Sequence, residues 1–321
     1  MKSALVLGAI LFFCFFNLSA YALEDKTREV AQELALTEAQ AVNPQPAGAY
    51  RQALEEVVVK EEEYFPQELD SYARYMPSRG ANGQPGKVGI IDSASEYSYE
   101  IKAWDKLPVE FSTSTRYIGI NNSTAVELPA HLTRVDFGVS TALPFFNFNN
   151  TYLGIELNPS FLTDNWDLRS SAFSLTQRYF LFHKFDEKLS FICGLRIEPH
   201  LEDPYWPILG FIYKPNDRLT FNIIPERPEI SYALDKRLTV FLEGDNSSDE
   251  FRVTKDNLKN VPLQYNELHL GAGFRYHFNK HIKSSLSCGS VFNRSLKYRD
   301  SLGKVALENG LYTEFRLDIV M

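Results

Sequence analysis

Apolar and polar residues alternate along most of the chain after about residue 91. The stretch at residues 266–280, NELHLGAGFRYHFNK, shows the pattern in its clearest form. Successive side chains of a β-strand point to opposite faces, so this stretch is predicted to be a strand with two unlike faces. The apolar face carries Leu268, Leu270, Ala272, Phe274, Tyr276 and Phe278, and the polar face carries His269, Gly271, Gly273, Arg275 and His277.

The same period-two pattern predicts twelve strands between residue 107 and the last residue. They span residues 107–120, 131–143, 150–158, 171–183, 188–198, 207–214, 218–225, 228–235, 236–243, 265–278, 281–293 and 310–321. The segment SEYSYEIKAW at residues 95–104 is a candidate for one more strand or an inner segment.

Short and long connections alternate between these strands. The short ones, such as KFDEK at 184–188 and FNKH at 278–281, contain the Asn, Asp and Lys residues of tight turns. The others are mostly longer and polar, including GDNSSDEFRVTKDNLKNVPLQYNE before the strand at 265–278. A barrel with one turn-rich rim and one loop-rich rim requires this alternation, and an even strand count brings both ends of the barrel to the same rim.

Charged residues repeatedly occupy one strand face opposite an apolar face. In the last strand, Glu314, Arg316 and Asp318 share a face, and Phe315 and Leu317 lie on the other. Three charges in a row are costly in a packed core but not in a wet lumen. Aromatic residues also gather near strand ends, as in RYFLFHKF, where membrane barrels have their interfacial girdles. One strand alone does not separate a membrane barrel from a soluble sandwich, but these features together favour the membrane barrel.

The N-terminal quarter of the chain differs from the rest. Lys2, an apolar run at 4–16 and the small-residue site Ala20-Tyr21-Ala22 predict a cleaved secretory signal peptide over 1–22. Residues 24–70 hold twelve acidic residues against four basic ones, so residues 23–90 are interpreted as an acidic, partly helical or disordered extension with a linker at 76–86. The barrel is then predicted over 91–321.

The fold class that follows is all-β: an antiparallel up-and-down transmembrane β-barrel of about twelve strands. The segments ILGFIYKPNDRLTFNIIPERPEISYALDKRLTVFLEG and LGAGFRYHFN resemble Gram-negative outer-membrane barrels, in particular a family known only as a domain of unknown function. The resemblance covers about residues 107–321. It implies export to the outer membrane, with outer-membrane lipid and the barrel assembly machinery as partners, and it supplies no catalytic residues. The chain departs from the usual pattern by ending on Met321 rather than on an aromatic residue.

The parity of the predicted strands places fourteen charged residues on the inward face, seven acidic and seven basic. They are Glu110, Arg116, Arg134, Asp136, Glu156, Arg178, Arg196, Glu198, Glu229, Arg275, Lys283, Glu314, Arg316 and Asp318. Charges of mixed sign at close quarters pair with one another. We therefore expect either a narrow, weakly selective pore or a structural barrel filled by salt bridges.

Two alternatives from other functional classes remain open at this point. One is an outer-membrane lipid hydrolase with a Ser/His pair near the lipid interface, although no serine-hydrolase motif is present and the six histidines are scattered. The other is a membrane anchor whose acidic extension binds a periplasmic partner. The pattern predicts no catalytic residues, no cofactor, no metal site and no nucleic-acid partner, since the chain has no CxxC motif, no phosphate loop and no basic patch. Cys193 and Cys288 are expected to be free thiols.

Overall fold

Strands make up nearly all of the regular structure in the computed structural model, which describes residues 66–103, 107–145, 150–165, 170–201, 203–225, 227–299 and 302–321. The predicted signal peptide at 1–22 and the extension as far as residue 65 lie outside these ranges. No helix in the described part of the chain is long and apolar enough to cross a membrane. Both cysteines within it, Cys193 and Cys288, are free, as expected.

Fifteen strands and one 3₁₀ turn, Ser170–Ala172, are present within the described ranges. The strands are β1 Gln67–Ala81, β2 Gln84–Ala103, β3 Leu107–Asn122, β4 His131–Pro144, β5 Thr151–Thr163, β6 Phe173–Lys184, β7 Leu189–Ile197, β8 Tyr205–Asn216, β9 Leu219–Ile223, β10 Glu229–Ala233, β11 Leu238–Lys255, β12 Leu258–His277, β13 Ile282–Tyr298, β14 Lys304–Ala306 and β15 Gly310–Val320.

The strands form a closed antiparallel barrel. Each of β1 to β13 pairs with its neighbour in the sequence, β13 also pairs with β15, and β15 pairs with β1 to close the ring. Strand β14 lies in the connection between β13 and β15, so the barrel itself has fourteen strands. We call the rim with Gln67 and Met321 the turn end, and the opposite rim the loop end. The predicted fold class is confirmed, but the count of about twelve is too low by two.

The two additional strands are β1 and β2, which lie mostly within the segment interpreted as extension and linker. Residues 67–90 belong to the barrel, so the predicted boundary at residue 91 and the flexible linker at 76–86 are wrong. The Pro and Gly residues of the segment 76–86 belong to a tight hairpin, in which Gly83 adopts a φ of 74°. The tip of this hairpin contacts the segment before β15 through the bridge between Ala81 and Leu307, and its residues lack the apolar alternation of a lipid-facing strand.

Side-chain exposure is inverted relative to a soluble protein. Phe274 and Phe315 are 48% and 51% exposed on the outside, whereas Arg134 and Asp136 are 1% and 2% exposed inside. Large apolar side chains recur at alternate outward positions of most strands, in line with the alternation seen in the sequence. An apolar outer surface around a charged interior is the arrangement of a transmembrane barrel.

Four connections at the turn end share one local device. In each, the side-chain oxygen of an Asp or Asn accepts hydrogen bonds of 2.6–3.1 Å from the backbone N–H groups two and three residues further on. The four residues are Asp186, Asn216, Asp235 and Asn279. These backbone donors hold the pKa of the Asp186 and Asp235 carboxyls below its usual value. The short polar segments therefore form the tight turns that the sequence predicts.

The glycines on the polar face of β12 allow close packing inside the barrel. Gly271 pairs with Gly289 of β13, and a Cβ at Gly271 would lie only 2.1 Å from the Tyr312 hydroxyl oxygen. The ring of Tyr312 is thus seated where any larger residue at position 271 would be. This explains the glycine-containing inner face noted in the sequence.

Strands β11 and β12 are much longer than predicted. The polar segment 244–267 was expected to be a long loop, but it continues both strands as a hairpin with a turn at Asp256-Asn257. We call residues 244–270 the inner hairpin. Both faces of β11 are buried from Glu243 to Phe251, so polar and apolar positions do not alternate there, and the segment resembles a loop in sequence.

The inner hairpin makes the barrel narrower at its loop end. After Glu243, β11 leaves β10, and Arg252 pairs in parallel with Thr163 at the end of β5. On the other side, β14 joins β13 to β1 through the bridge between Ala81 and Leu307. Nine strands therefore close the loop end, namely β1 to β5 and β11 to β14, and β6 to β10 are bypassed.

The nine-strand end is filled by a hydrophobic core, which we call the cap core. It includes Met76, Val88, Ile90, Ile118, Leu132, Leu162, Phe251, Val253, Val261, Leu263, Tyr265, Val291, Leu296, Tyr298 and Val305. Each of these side chains is at most 6% exposed. A second, smaller cluster on the inner faces of β6 to β8 contains Phe180, Phe182, Ile192, Ile208 and Ile212. The interior of this barrel is thus packed rather than open at the loop end.

Candidate functional site

A band of buried charged residues crosses the barrel interior and joins the wall to the inner hairpin. We call it the ionic layer, and it contains Arg74, Asp92, Arg116, Arg134, Asp136, Asp245, Asp249, Glu267, His269 and Glu314. All of these residues are at most 5% exposed. Buried charges are tolerated only when they are paired and hydrogen-bonded, so the geometry of each pair decides whether this layer is stable.

Asp249 of the inner hairpin binds two arginines of the barrel wall. Its Oδ1 accepts a 2.6 Å hydrogen bond from Nη1 of Arg134, and its Oδ2 accepts one of 2.9 Å from Nη1 of Arg116. The same Arg116 nitrogen donates to the Ser247 hydroxyl at 3.0 Å. Arg116 also binds Asp92 through two parallel hydrogen bonds of 2.8 and 2.9 Å, the strong bidentate geometry.

Arg74 of β1 makes a second link to the inner hairpin. Its Nη2 donates to Asp245 at 2.6 Å, and its Nε donates to Glu314 of β15 at 2.7 Å. Nδ1 of His269 lies 3.1 Å from Nη1 of Arg74 and, since arginine only donates, accepts this hydrogen bond. The hairpin is thus attached to β1, β3 and β4 by charged hydrogen bonds rather than by a strand ladder.

The charged residues predicted for the lumen fall into three places. Arg116, Arg134, Asp136 and Glu314 are in the ionic layer. Arg178 and Arg196 bind Glu156 and Glu198 at 3.0 and 2.6 Å on the inner wall of β5 to β7, and Glu110 lies near Glu156 on the same wall. Toward the turn end, Arg275 binds Glu229 at 2.6 Å, Arg316 binds Glu314 at 2.9 Å, and Asp318 and Lys283 are half-buried.

Several residues of the ionic layer were not identified from the sequence. Arg74 lies in the segment interpreted as the acidic extension, Asp92 lies just after its predicted end and before the first predicted strand, and Asp245 and Asp249 lie in the segment interpreted as a loop. The available signal was the two-residue spacing of Asp245, Ser247 and Asp249, which places all three on one strand face. It was not decisive because the opposite face of this segment is also polar.

The hydrolase alternative has one structural counterpart. The Ser174 hydroxyl and Nδ1 of His200 are 2.5 Å apart near the loop end. Nε2 of His200 is buried and makes no hydrogen bond within the described residues, so no carboxylate orients this ring as in a catalytic triad. Ser174 is itself only 5% exposed. Ser174 and His200 therefore make the contact of a catalytic dyad, but they lack the third residue that would orient the histidine and the substrate access that acyl transfer needs.

The described ranges contain no group of three or more His, Cys, Asp or Glu side chains arranged to hold a metal ion. The carboxylates of Asp92, Asp136 and Asp249 use both oxygens in contacts with arginine or serine, whereas Oδ1 of Asp245 and Oε1 of Glu267 accept no hydrogen bond within the described residues. The layer is consequently a set of reversible links between an inner element and the wall. What it can do is hold the inner hairpin, which is also paired with β13 and packed in the cap core, against β1, β3 and β4.

Comparisons with known proteins give one family and several similar folds. A family model described as "Domain of unknown function (DUF6268)" matches residues 102–318. No curated protein matches the chain. The crystal structure of the COG4313 outer membrane channel from Pseudomonas putida F1 aligns at 10% identity over 87% of this chain and 100% of that one, with a TM-score of 0.48. A FadL homologue from Pseudomonas aeruginosa aligns at 11% identity over 88% of this chain and 95% of that one, with a TM-score of 0.45.

Proposed function

Because the chain belongs to the family described as a domain of unknown function (DUF6268), whose description states no activity, we propose its function from the barrel interior. The protein is an outer-membrane channel that the inner hairpin holds closed. The turn end faces the periplasm and the loop end faces the outside, as short turns and long loops do in bacterial barrels.

The observation that carries this proposal is the attachment of the inner hairpin by Arg74, Arg116 and Arg134. The hairpin also packs in the cap core and pairs with β13, but it meets β1, β3 and β4 through buried ion pairs, which gain little over well-packed hydrophobic residues. Charged hydrogen bonds instead hold the hairpin in one closed position. When the hairpin moves, water or ions can take the place of the lost hydrogen-bond partners. A wall of fourteen strands is wide enough to leave a passage once the hairpin is displaced.

Single-channel recording of the refolded full-length chain in a planar bilayer tests the proposal. We expect the wild type to open rarely. The double variant Asp245→Asn, Asp249→Asn neutralises the two carboxylates that hold Arg74, Arg116 and Arg134, and its openings should be at least about tenfold more frequent, the factor that corresponds to about 1.4 kcal/mol. Glu156→Gln is the matched control, because it also removes a buried carboxylate that binds an arginine, but within the wall.

A deletion of residues 246–267 extends the test. With the inner hairpin shortened, the channel should conduct steadily, provided that heat-modifiable gel migration shows a folded barrel. If this folded deletion variant stays silent, the chain is a structural barrel and the channel proposal is wrong. Equal opening of the Glu156→Gln control and the double variant would also contradict it, since the hairpin links would then have no specific role.

A further inference from the structure

The barrel wall is incomplete toward the loop end, between β8 and β11. Strands β9 and β10 have five residues each, against 12 in β8 and 18 in β11. Ladder pairing of β8 with β9 begins at Phe211, so residues 205–210 pair with β7 alone among the described residues. The ladder of β11 with β10 likewise ends at Glu243, after which one more backbone hydrogen bond of 2.9 Å runs from the Gly244 N–H to the Pro228 carbonyl. We call the region between residues 205–210 and the inner hairpin the wall break.

The sequence explains where the ladder stops. Pro225 and Pro228 lie in the connection between β9 and β10, and proline has no N–H with which to continue a sheet. Pro207 lies in β8 beside the wall break, and proline within a sheet is largely confined to edge strands. Gly210 and Gly244 border the same connection, where a Cβ would lie 2.6 Å from the Ile223 carbonyl oxygen and 3.1 Å from Pro228. The break is thus built by specific residues.

The position of the wall break has a consequence for the membrane. Five residues of strand rise about 17 Å, whereas a spanning strand needs roughly 9–11 residues. The free edge of β8 therefore lies at a depth where exposed backbone N–H and C=O groups cannot face hydrocarbon. Such an edge is stable only beside water or the polar group of a ligand. The break must open onto a space of that kind.

The axial route is closed at the same level. The cap core fills the nine-strand end with apolar side chains, among them Phe251 and Leu263, which are fully buried. A solute that enters from the turn end and passes the ionic layer meets this core, while the wall break lies beside the path. The wall break in the side of the barrel is therefore a shorter exit for the solute than the loop end.

Buried hydrogen-bond donors lie at both borders of the wall break. Nε1 of Trp206 on β8 and Nδ2 of Asn246 on the inner hairpin have no acceptor within the described residues, and the two side chains are only 5% and 9% exposed. Arg196, the cross-strand neighbour of Trp206, has two nitrogens in the same condition. On the outside, Tyr205 and Leu209 are 65% and 62% exposed and offer an apolar border. Unused donors inside an apolar rim suit a molecule with an alkyl chain and an acceptor-bearing head group.

We propose that the wall break is a lateral binding and exit site for an amphipathic solute of the alkyl carboxylate type, which moves between the outer leaflet and the barrel interior. Its head group accepts hydrogen bonds from Trp206, Asn246 and Arg196, and its chain lies along Tyr205 and Leu209. The proposal rests on the channel function above and adds the class of solute and its route.

Cysteine labelling in liposomes tests this site with the full-length chain. Cys193 and Cys288 are replaced by serine, and either Asn246→Cys or Ser247→Cys is added. The two positions are adjacent on β11 but face opposite sides, since Ser247 contacts Arg116 in the ionic layer. We expect N-dodecylmaleimide, dissolved in the bilayer, to modify the Asn246→Cys variant at least about tenfold faster, because a molecule with a polar head group and an alkyl chain can enter the wall break from the bilayer but cannot reach the ionic layer. Sodium dodecanoate should slow this reaction by occupying the site.

Each outcome of the labelling counts for or against the proposal. Equal rates at the two positions, or a rate at position 246 that dodecanoate does not change, would overturn the lateral site. Labelling needs no ion current, so its failure is separate from failure of the channel. Selective, dodecanoate-sensitive labelling in a protein whose hairpin deletion stays silent would keep the lateral site and refute the channel. Gel migration of both cysteine variants shows that each is folded.

Discussion

Arg134 on β4 donates a 2.6 Å hydrogen bond to Asp249 on the inner hairpin, which joins residues 115 positions apart in the chain. Both side chains are fully buried, and Asp136 holds the other side of the same guanidinium at 2.7 Å. A guanidinium between two carboxylates has little room to move, so this contact fixes the hairpin relative to the wall.

The first prediction concerns the stability that this contact provides. Arg134→Leu removes the guanidinium that compensates the buried charges of Asp136 and Asp249, and we expect it to lower the free energy of unfolding by about 3–5 kcal/mol. Urea unfolding in liposomes, followed by gel migration, measures the change. Arg275→Leu is the control, because the Arg275–Glu229 pair is partly exposed and should cost about 1 kcal/mol or less. Similar losses of unfolding free energy in the two variants would show that burial of an ion pair does not determine how much it stabilises the barrel.

The second prediction concerns the outer surface. Leu286 lies between Phe274 and Phe315 in one outward-facing row across β12, β13 and β15. Leu286→Arg should destabilise the folded barrel in liposomes by about 2–4 kcal/mol, the cost of a cation on the lipid face near the middle of the bilayer. Leu302→Arg in the connection before β14 should change stability by no more than about 0.5 kcal/mol. If both variants unfold at the same urea concentration as the wild type, this row does not face lipid.

The third prediction concerns pH and the turn end. Backbone donors lower the pKa of Asp186 and Asp235 in the folded state, so these turns stabilise the fold at pH values above the ordinary aspartate pKa of about 3.9. The contribution is lost as the pH falls through the lowered folded values. The double variant Asp186→Asn, Asp235→Asn keeps the acceptor oxygens without the titration, as Asn216 and Asn279 do.

Unfolding midpoints at pH 7 and pH 3 measure this effect. The wild type should lose more stability between the two than the asparagine double variant does. An identical loss in both proteins would mean that the acid sensitivity comes from other carboxyls, and the role given to these two turns would be incorrect.

Most of the barrel could be predicted from alternation alone. The twelve predicted strands correspond to β3 to β13 and β15, because each presents one face to lipid and one to the interior. Prediction failed where this contrast is missing. β1 contains Pro77 and Gly80 near its tip, and residues 244–251 are surrounded by protein on both faces, so neither segment alternates in the expected way.

The sequence predicts which charged residues point into the barrel interior, but not which of them pair with one another. Parity of the strands indicates that Arg116 and Arg134 point inward, but nothing in their local sequence indicates which carboxylate each would meet. That partner, Asp249, is more than a hundred positions away on a hairpin whose path depends on its pairing with Thr163 through Arg252. Contacts set by the path of the whole chain are not encoded in any single window.

The nine-strand closure at the loop end divides the molecule into two parts that can change independently. None of the strands β6 to β10 belongs to that upper ring, so their lengths and the chemistry along their inner faces can vary while the ring stays closed. Substitutions in β6 to β10 could therefore change which solutes the barrel accepts, while β1 to β5 and β11 to β14 keep its outer end closed.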